Sequence, residues 1–160
     1  MNDAILGENG TVMQFVGDAV MAVFGAPFEQ EDHADRAVVA AFAMHEKQLE
    51  INRRWEKEGL PPFGLGLGLS TGQAAAALLG SEERLEYTLV GDTVNMSQRL
   101  QQLAEAGETV VSQGTFDAWR SPRETVALPP QLVKGRETPV IAYRLVDGTC
   151  RFPDHATKEG

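Results

Sequence analysis

The tripeptide Val-Gly-Asp occurs twice, at Val16–Asp18 and at Val90–Asp92, and each time it closes a short apolar run. Gly-Asp reverses or redirects a chain within two residues, so each triplet marks where a strand has to stop. Around the first, Thr11–Val16 alternates in polarity and Ala19–Phe24 is a second apolar run, which predicts a β-hairpin with Gly17-Asp18 at its tip. Gly25-Ala26-Pro27 then closes the unit. After the second triplet the spacing becomes helical. Asp92 is expected to cap a helix that runs to about Ala106, with Gly107 as its stop.

Asp32 is the expected N-cap of a long helix from about His33 to Lys57, in which Val38, Ala41, Phe42, His45 and Leu49 recur at helical spacing. His45 is read as a packed histidine, since a metal site needs convergent partners. Gly59 ends this helix and Pro61-Pro62 prevents its return. Phe63–Leu69 alternates large residues with glycine. Propensity alone would make Ala74–Leu79 helical. Its flanking glycines and the short distance to the next apolar run predict instead a strand and a reversing arm, followed by a strand at Tyr87–Val90. Thr109–Ser112 and the segments near Val126 and Ile141–Val146 supply further strands. Strands alternating with helices predict an α/β or α+β sandwich.

The 160 residues are enough for one domain with a substantial core, expected over residues 1–151 with a polar tail at 152–160. No apolar run approaches the roughly 18 residues that span a bilayer, and the opening MNDAILGENG lacks a signal-peptide pattern. The one cysteine, Cys150, cannot form an internal disulfide, which fits a reducing cytoplasm. A net charge of −9 argues against a broad nucleic-acid-binding face. It leaves room for a phosphorylated small molecule, which needs only a few placed cations or carboxylate-held metal ions.

Asp18 at a tight hairpin tip has two readings: a turn residue bonding its own backbone, or a divalent-metal ligand projected from a rigid edge. Asn95 and Arg99 lie four apart and therefore share one helix face. An amide and a planar cation side by side suit an oxyanion and a phosphate; the alternative is a solvated polar face. Lys134-Gly135-Arg136 is a basic turn or a phosphate contact.

In this order the pieces resemble the class III adenylyl and guanylyl cyclases, over about residues 5 to 147. GTVMQFVGDAVMAVFGAP (10–27) is similar to that family's first hairpin, and EYTLVGDTVNMSQRLQQLAEAGETVVS (86–112) to its catalytic helix and the next strand. Leu132–Gly135 with the following ETPVIAYRL matches its C-terminal end. The resemblance implies an α+β fold, the ferredoxin-like, palm-type βαββαβ sandwich, and closure of a nucleoside triphosphate to a 3′,5′-cyclic monophosphate with release of pyrophosphate. It places Asp18 at the second of two metal-binding aspartates for Mg2+ or Mn2+. Asn95 falls at the asparagine that orients the ribose, and Arg99 at the arginine that stabilises the transition state. Lys134 falls at the lysine that meets the terminal phosphates, and Thr88 at a base-reading position. It further implies a site shared between two subunits, a homodimer or a pair with another cyclase domain, with Leu79–Glu86 as the arm between them.

Three positions depart from the family pattern. Only 17 residues precede Asp18, so the family's opening strand and first metal aspartate have no counterpart, and Asp3 and Glu8 lie in the wrong element. The adenine-reading lysine is Gln14, whose amide can both donate and accept. A phosphate-contacting arginine is replaced by Gly66. Thr88, and the lack of a guanylyl-type glutamate and cysteine pair, lean the substrate towards ATP over GTP. Two readings follow: a cyclase domain that is inactive as this isolated piece, or a non-catalytic cyclase-like module for nucleotide binding or dimerisation.

Overall fold

The computed structural model describes residues 1–120, 124–132 and 137–146, with residues 79 and 85–87 described by their backbone alone. The elements in chain order are α1 (Asn2–Gly7), β1 (Thr11–Val16), β2 (Ala19–Val23), α2 (His33–Lys57), β3 (Leu67–Leu69) and β4 (Ala75–Ser81). Then come β5 (Arg84–Val90), α3 (Asp92–Leu103), β6 (Thr109–Ser112), α4 (Gln113–Ala118), β7 (Thr125–Ala127) and β8 (Ala142–Leu145). No helix among the described residues is long and apolar enough to cross a membrane.

Ala34, Val38, Ala41, His45, Gln48 and Asn52 follow one another every three or four residues and are all buried along one side of α2. His45 is packed as expected, its Nε2 2.9 Å from the Thr109 hydroxyl on β6. Gln48 and Asn52 extend the stripe in polar form. Both amides donate to the Phe63 carbonyl, at 2.8 and 2.9 Å, and Phe63 N donates to Asn52 Oδ1 at 3.1 Å. This clamp folds the chain back after the Pro61-Pro62 turn and delivers it into β3.

The main sheet has the order β3-β6-β8-β7, with β3 and β6 parallel and the other pairs antiparallel. All four residues of β6 are buried. Val110 packs with Met96 and Leu100 of α3, and its neighbour Val111 with Val38 of α2 and Trp119. Adjacent strand residues point to opposite faces, so α2 and α3 cover opposite sides of the sheet. The glycine alternation before β6 has the same origin. A Cβ on Gly68 would run into the backbone of α3 at Ser97 and Gln101, and one on Gly64 into Ala106. Leu69 faces the other way, against the Phe42 side of the core. Backbone therefore lies directly on backbone where α3 crosses β3.

The two hairpins stand apart from this sheet. Among the described residues β1 pairs only with β2, and β4 only with β5, the latter in unbroken register from Ala75↔Val90 to Ser81↔Arg84. Ala74–Leu79 thus lies in extended backbone despite its helical propensity. β3 forms the free edge of the main sheet among the described residues.

Three expectations are corrected. Asp92 does not cap α3: the cap is Gly91 at φ 148°, and Asp92 is the first helical residue. At that φ any residue with a Cβ would be strained, so the strand-to-helix turn needs glycine, although a Cβ would meet the Gln73 carbonyl at an ordinary 3.4 Å. Asp92 instead places negative charge on the helix's positive end. α3 ends at Leu103 rather than near Ala106, because the chain leaves the helix to lie against the glycines of the incoming strand. Asp32 occupies the N-cap of α2, but its carboxylate takes Arg36 Nε at 2.7 Å instead of capping the backbone. Two short helices, α1 and α4, have no counterpart in the sequence reading. The expected tail at 152–160 and its boundary at 151 lie outside the described residues.

Candidate active site

α3 buries Met96 and Leu100 in the core, which turns the adjacent positions Asn95 and Arg99 outward along one flank. Asn95 is exposed and Arg99 partly buried. The depth of this helix is set by Gly68, so both side chains are carried on an element that cannot sink or rise without moving the sheet. Thr88 is half-buried on β5, opposite Ala77 and four residues before α3 begins. Thr88, Asn95 and Arg99 are thus carried by one continuous strand–turn–helix unit.

Asp18 and Gln14 belong to the other hairpin. Gly17 at φ 60° makes the two-residue turn, and Asp18 stands exposed beside it. The ladder slips between Val12 and Gln14, so that Val12 pairs with Ala22 and Gln14 with Met21. Beyond that bulge the β1 residues Gln14, Phe15 and Val16 are all exposed, while their β2 partners Met21 and Val20 are half-buried. The root of the hairpin is better held. Gln30 bridges it, donating to the Asn9 carbonyl and accepting from Gly25 N, both at 3.0 Å. Thr11 Oγ1 donates to the Ala26 carbonyl at 3.1 Å. Arg36 Nη1 reaches the Glu8 carbonyl at 3.4 Å, and the same guanidinium holds the Asp32 carboxyl below its ordinary range by hydrogen bonding to it.

Lys134 lies outside the described residues. Among those that are described, no group of three or more His, Cys, Asp or Glu side chains could hold a metal ion. Asp18 thus belongs to no cluster of three such side chains among the described residues, which by themselves do not fit a two-ion site. Gly66 also reads differently in three dimensions. A side chain there would meet the Ala104 carbonyl at 3.0 Å, at the C-terminal end of α3. Asn95 is nine residues earlier, roughly 13 Å away along the axis. The glycine at 66 therefore answers a packing demand at the end of α3; Arg99 is five residues before Ala104, roughly 7.5 Å along the axis.

A half-open cleft of about 290 Å3 lies on the other flank of the first turn of α3, where Thr93 and Met96 meet Ser112, Gln113 and Val140. None of the described site residues lines it. Its polar wall belongs to a network that sequence reasoning missed. Thr115 Oγ1 is 2.8 Å from Thr71 Oγ1 and donates to the Leu69 carbonyl at 3.2 Å, while the Ser112 hydroxyl accepts from Thr115 N at 3.2 Å and caps α4. The signal was present as Ser112 three residues before Thr115, a serine cap at a strand end.

The arrangement can be compared with known proteins. A profile of the adenylate and guanylate cyclase catalytic domain matches residues 3–146. Adenylate cyclase 1 of Rhizobium meliloti (strain 1021) is 34% identical over 149 residues, covering 91% of this chain and 22% of that protein. The chain thus spans under a quarter of that relative's length. The crystal structure of the adenylyl cyclase CyaB from P. aeruginosa superposes with a TM-score of 0.86 at 32% identity, covering 91% of this chain and 76% of that one. The guanylyl cyclase Cya2 superposes at 0.80, also at 32% identity, covering 89% and 73%. Fold and sequence agree along almost the whole match, and the chain belongs to the adenylate and guanylate cyclase catalytic domain family.

Proposed function

We propose that this domain closes ATP to 3′,5′-cyclic AMP and pyrophosphate at a site completed by a second cyclase domain, either another copy or a partner subunit. The observation that carries the reading is the strand–turn–helix unit on which Thr88, Asn95 and Arg99 follow one another, with Asn95 and Arg99 four apart on the outward flank of α3. Ring closure requires the ribose 3′-oxygen, freed of its proton, to lie in line with the α-phosphorus. The barrier falls mainly through positioning and charge stabilisation. In this reading the Asn95 amide holds the ribose and the Arg99 guanidinium meets negative charge growing on the α-phosphate. Lys134 neutralises the terminal phosphates that leave, and Thr88 reads the base. Gln14 would contribute an amide to the base pocket.

ATP is the preferred substrate in this proposal because Thr88 stands at the base-reading position; the adenylyl and guanylyl relatives, at equal identity, do not separate the two bases. Asp18 would give one ligand to a Mg2+ or Mn2+ ion, with the remaining ligands coming from outside the described residues. The long unsupported hairpin β4–β5 suits an arm that reaches a partner. A cytoplasmic setting, one cyclase domain ending near residue 151, and signalling through the cyclic product complete the reading. A second reading, a cyclase-like module that pairs without catalysis, follows from the absence of a three-ligand metal cluster among the described residues.

One experiment separates them. The chain is mixed with a cyclase domain that has both metal aspartates but lacks its own asparagine and arginine. Cyclic AMP production should return in the mixture; Arg99→Ala should abolish it, and Asp18→Ala should leave it nearly unchanged. Mixed dimers without activity would establish the module instead, and equal effects of the two substitutions would overturn the division of roles.

A further inference from the structure

Hairpin β4–β5 carries Thr88 and helix α3 carries Asn95, so the angle between them decides whether one nucleotide can meet both. No other element packs substantially against this hairpin among the described residues. Its direction is therefore decided at its root. The last ladder pair is Ala75↔Val90. Beyond it, Gly91 turns the chain into α3, and Thr93 Oγ1 donates to the Gln73 carbonyl at 2.9 Å, closing the gap between the two legs. The fit is close: a Cβ on Gly72 would lie 2.6 Å from Thr93 Oγ1.

The loop that receives this bond is itself anchored. Thr71 is tied to Thr115 by the 2.8 Å hydroxyl contact and its backbone N donates to Ser112 Oγ at 3.4 Å. From the other side, a Cβ on Gly114 would lie 2.8 Å from the Thr71 carbonyl. The sheet thus holds the loop, and the loop, through Thr93, holds the start of the helix against the root of the hairpin.

We propose that Thr93 is a positioning residue that sets the angle between hairpin β4–β5 and α3, with Gly72 as the surface it fits against. The role in catalysis rests on the cyclase reading above, but the hinge itself does not. Base and ribose are joined at a fixed distance, so an unlatched hairpin would bind the two ends of a nucleotide in turn rather than together.

The hinge is tested by electron–electron distance measurements between spin labels at Ser81→Cys and Gln98→Cys in a Cys150→Ser background, diluted with unlabelled protein. The parent and Thr93→Ser should give one narrow distribution, and Thr93→Val a broader or shifted one, with little change in melting temperature. Gly72→Ala should also shift the distribution, and Gly72→Ala combined with Thr93→Ala should be no worse than Thr93→Ala alone. An unchanged distribution in Thr93→Val would overturn the proposal. In a parallel titration with Mn2+, Thr93→Val should weaken ATP binding about 3- to 10-fold, the range of one lost hydrogen bond. Binding of inorganic triphosphate, which has no base to align, should stay unchanged, and Thr93→Ser should restore ATP affinity. Equal losses for both ligands would refute the positioning role. Absence of ATP binding in the parent would refute the cyclase reading and leave the hinge to the distance measurement.

Discussion

Strand β6 and hairpin β1–β2 are both built from Val-rich runs of four to six residues, yet they live in opposite surroundings. Val110 and Val111 are completely buried, one under each covering helix. Phe15 and Val16 are 65% and 56% exposed at the far end of a two-stranded ladder. A lone hairpin is marginal in water, so β1–β2 depends on its root and on whatever it meets in an assembly. The residues assigned to metal and base are carried by the two hairpins, whereas Asn95 and Arg99 stand on an element bound to the sheet. The described residues thus divide into a packed sheet-and-helix body and two hairpins paired within themselves, a division that suits the proposed site shared by two domains.

The largest expected contrast is in core truncation. Leu100→Ala, at a fully buried position, should lower stability by about 2–5 kcal/mol in urea titrations, while Leu78→Ala on the β4–β5 arm should change it by no more than about 0.5 kcal/mol. Similar losses at both sites would show that the arm belongs to the body's cooperative unit.

Glycine substitutions sharpen the contrast because the two regions need glycine for different reasons. Gly68→Ala forces a side chain into the α3 backbone and should cost about 1–3 kcal/mol. Gly17 has open space around it but a φ of 60°, so Gly17→Ala should cost only about 1–2 kcal/mol, confined to the turn. Hydrogen exchange should show the first change across β3, β6 and α3, and the second only within β1–β2.

Gln30→Ala removes both bridging bonds at the hairpin root. Amides of β1 and β2 should then exchange several-fold faster, for about 1 kcal/mol of local opening, with β6 unaffected. Acceleration in β6 as well would mean that the hairpin and body open together.

The smallest effect concerns Asp32 and Arg36, a half-buried ion pair beside the same root. Arg36 depresses the Asp32 pKa below its ordinary 3.8, so the pair's contribution is complete above that value and is lost as pH falls through the lower folded-state value. The melting-temperature difference between the parent and Asp32→Asn should therefore be small at neutral pH and vanish once pH has fallen below the lowered folded-state value. A difference that persisted at lower pH would mean that Asp32 acts through something other than its charge.

The legible parts of the fold were those with local causes. Gly17-Asp18 between two apolar runs predicted its hairpin, the 3.6-residue spacing predicted α2, and Asn95 and Arg99 were paired by their separation of four. α1 and α4 were missed because six-residue helices carry too little periodicity, and Ser112 had to be read as a cap rather than a strand end. Asp92 was misread as a cap because a capping aspartate and a first-turn aspartate look alike; only the φ of Gly91 separates them.

What the sequence by itself determined is the order of turns, strands and helices, since capping, turn chemistry and hydrophobic period act between residues a few positions apart. It also carried the family, because three motifs kept their spacing along the chain. Tertiary structure alone decided that Gly66 lies against the end of α3, that Gly68 sets the height of α3, and that the Thr93 hydroxyl meets the Gln73 carbonyl. Those facts depend on which surfaces approach within a few ångströms across 20 to 40 residues of chain. Glycine has no pattern that distinguishes a turn from a crossing point, and a threonine hydroxyl no pattern that names its acceptor, until the sheet has brought the two segments together.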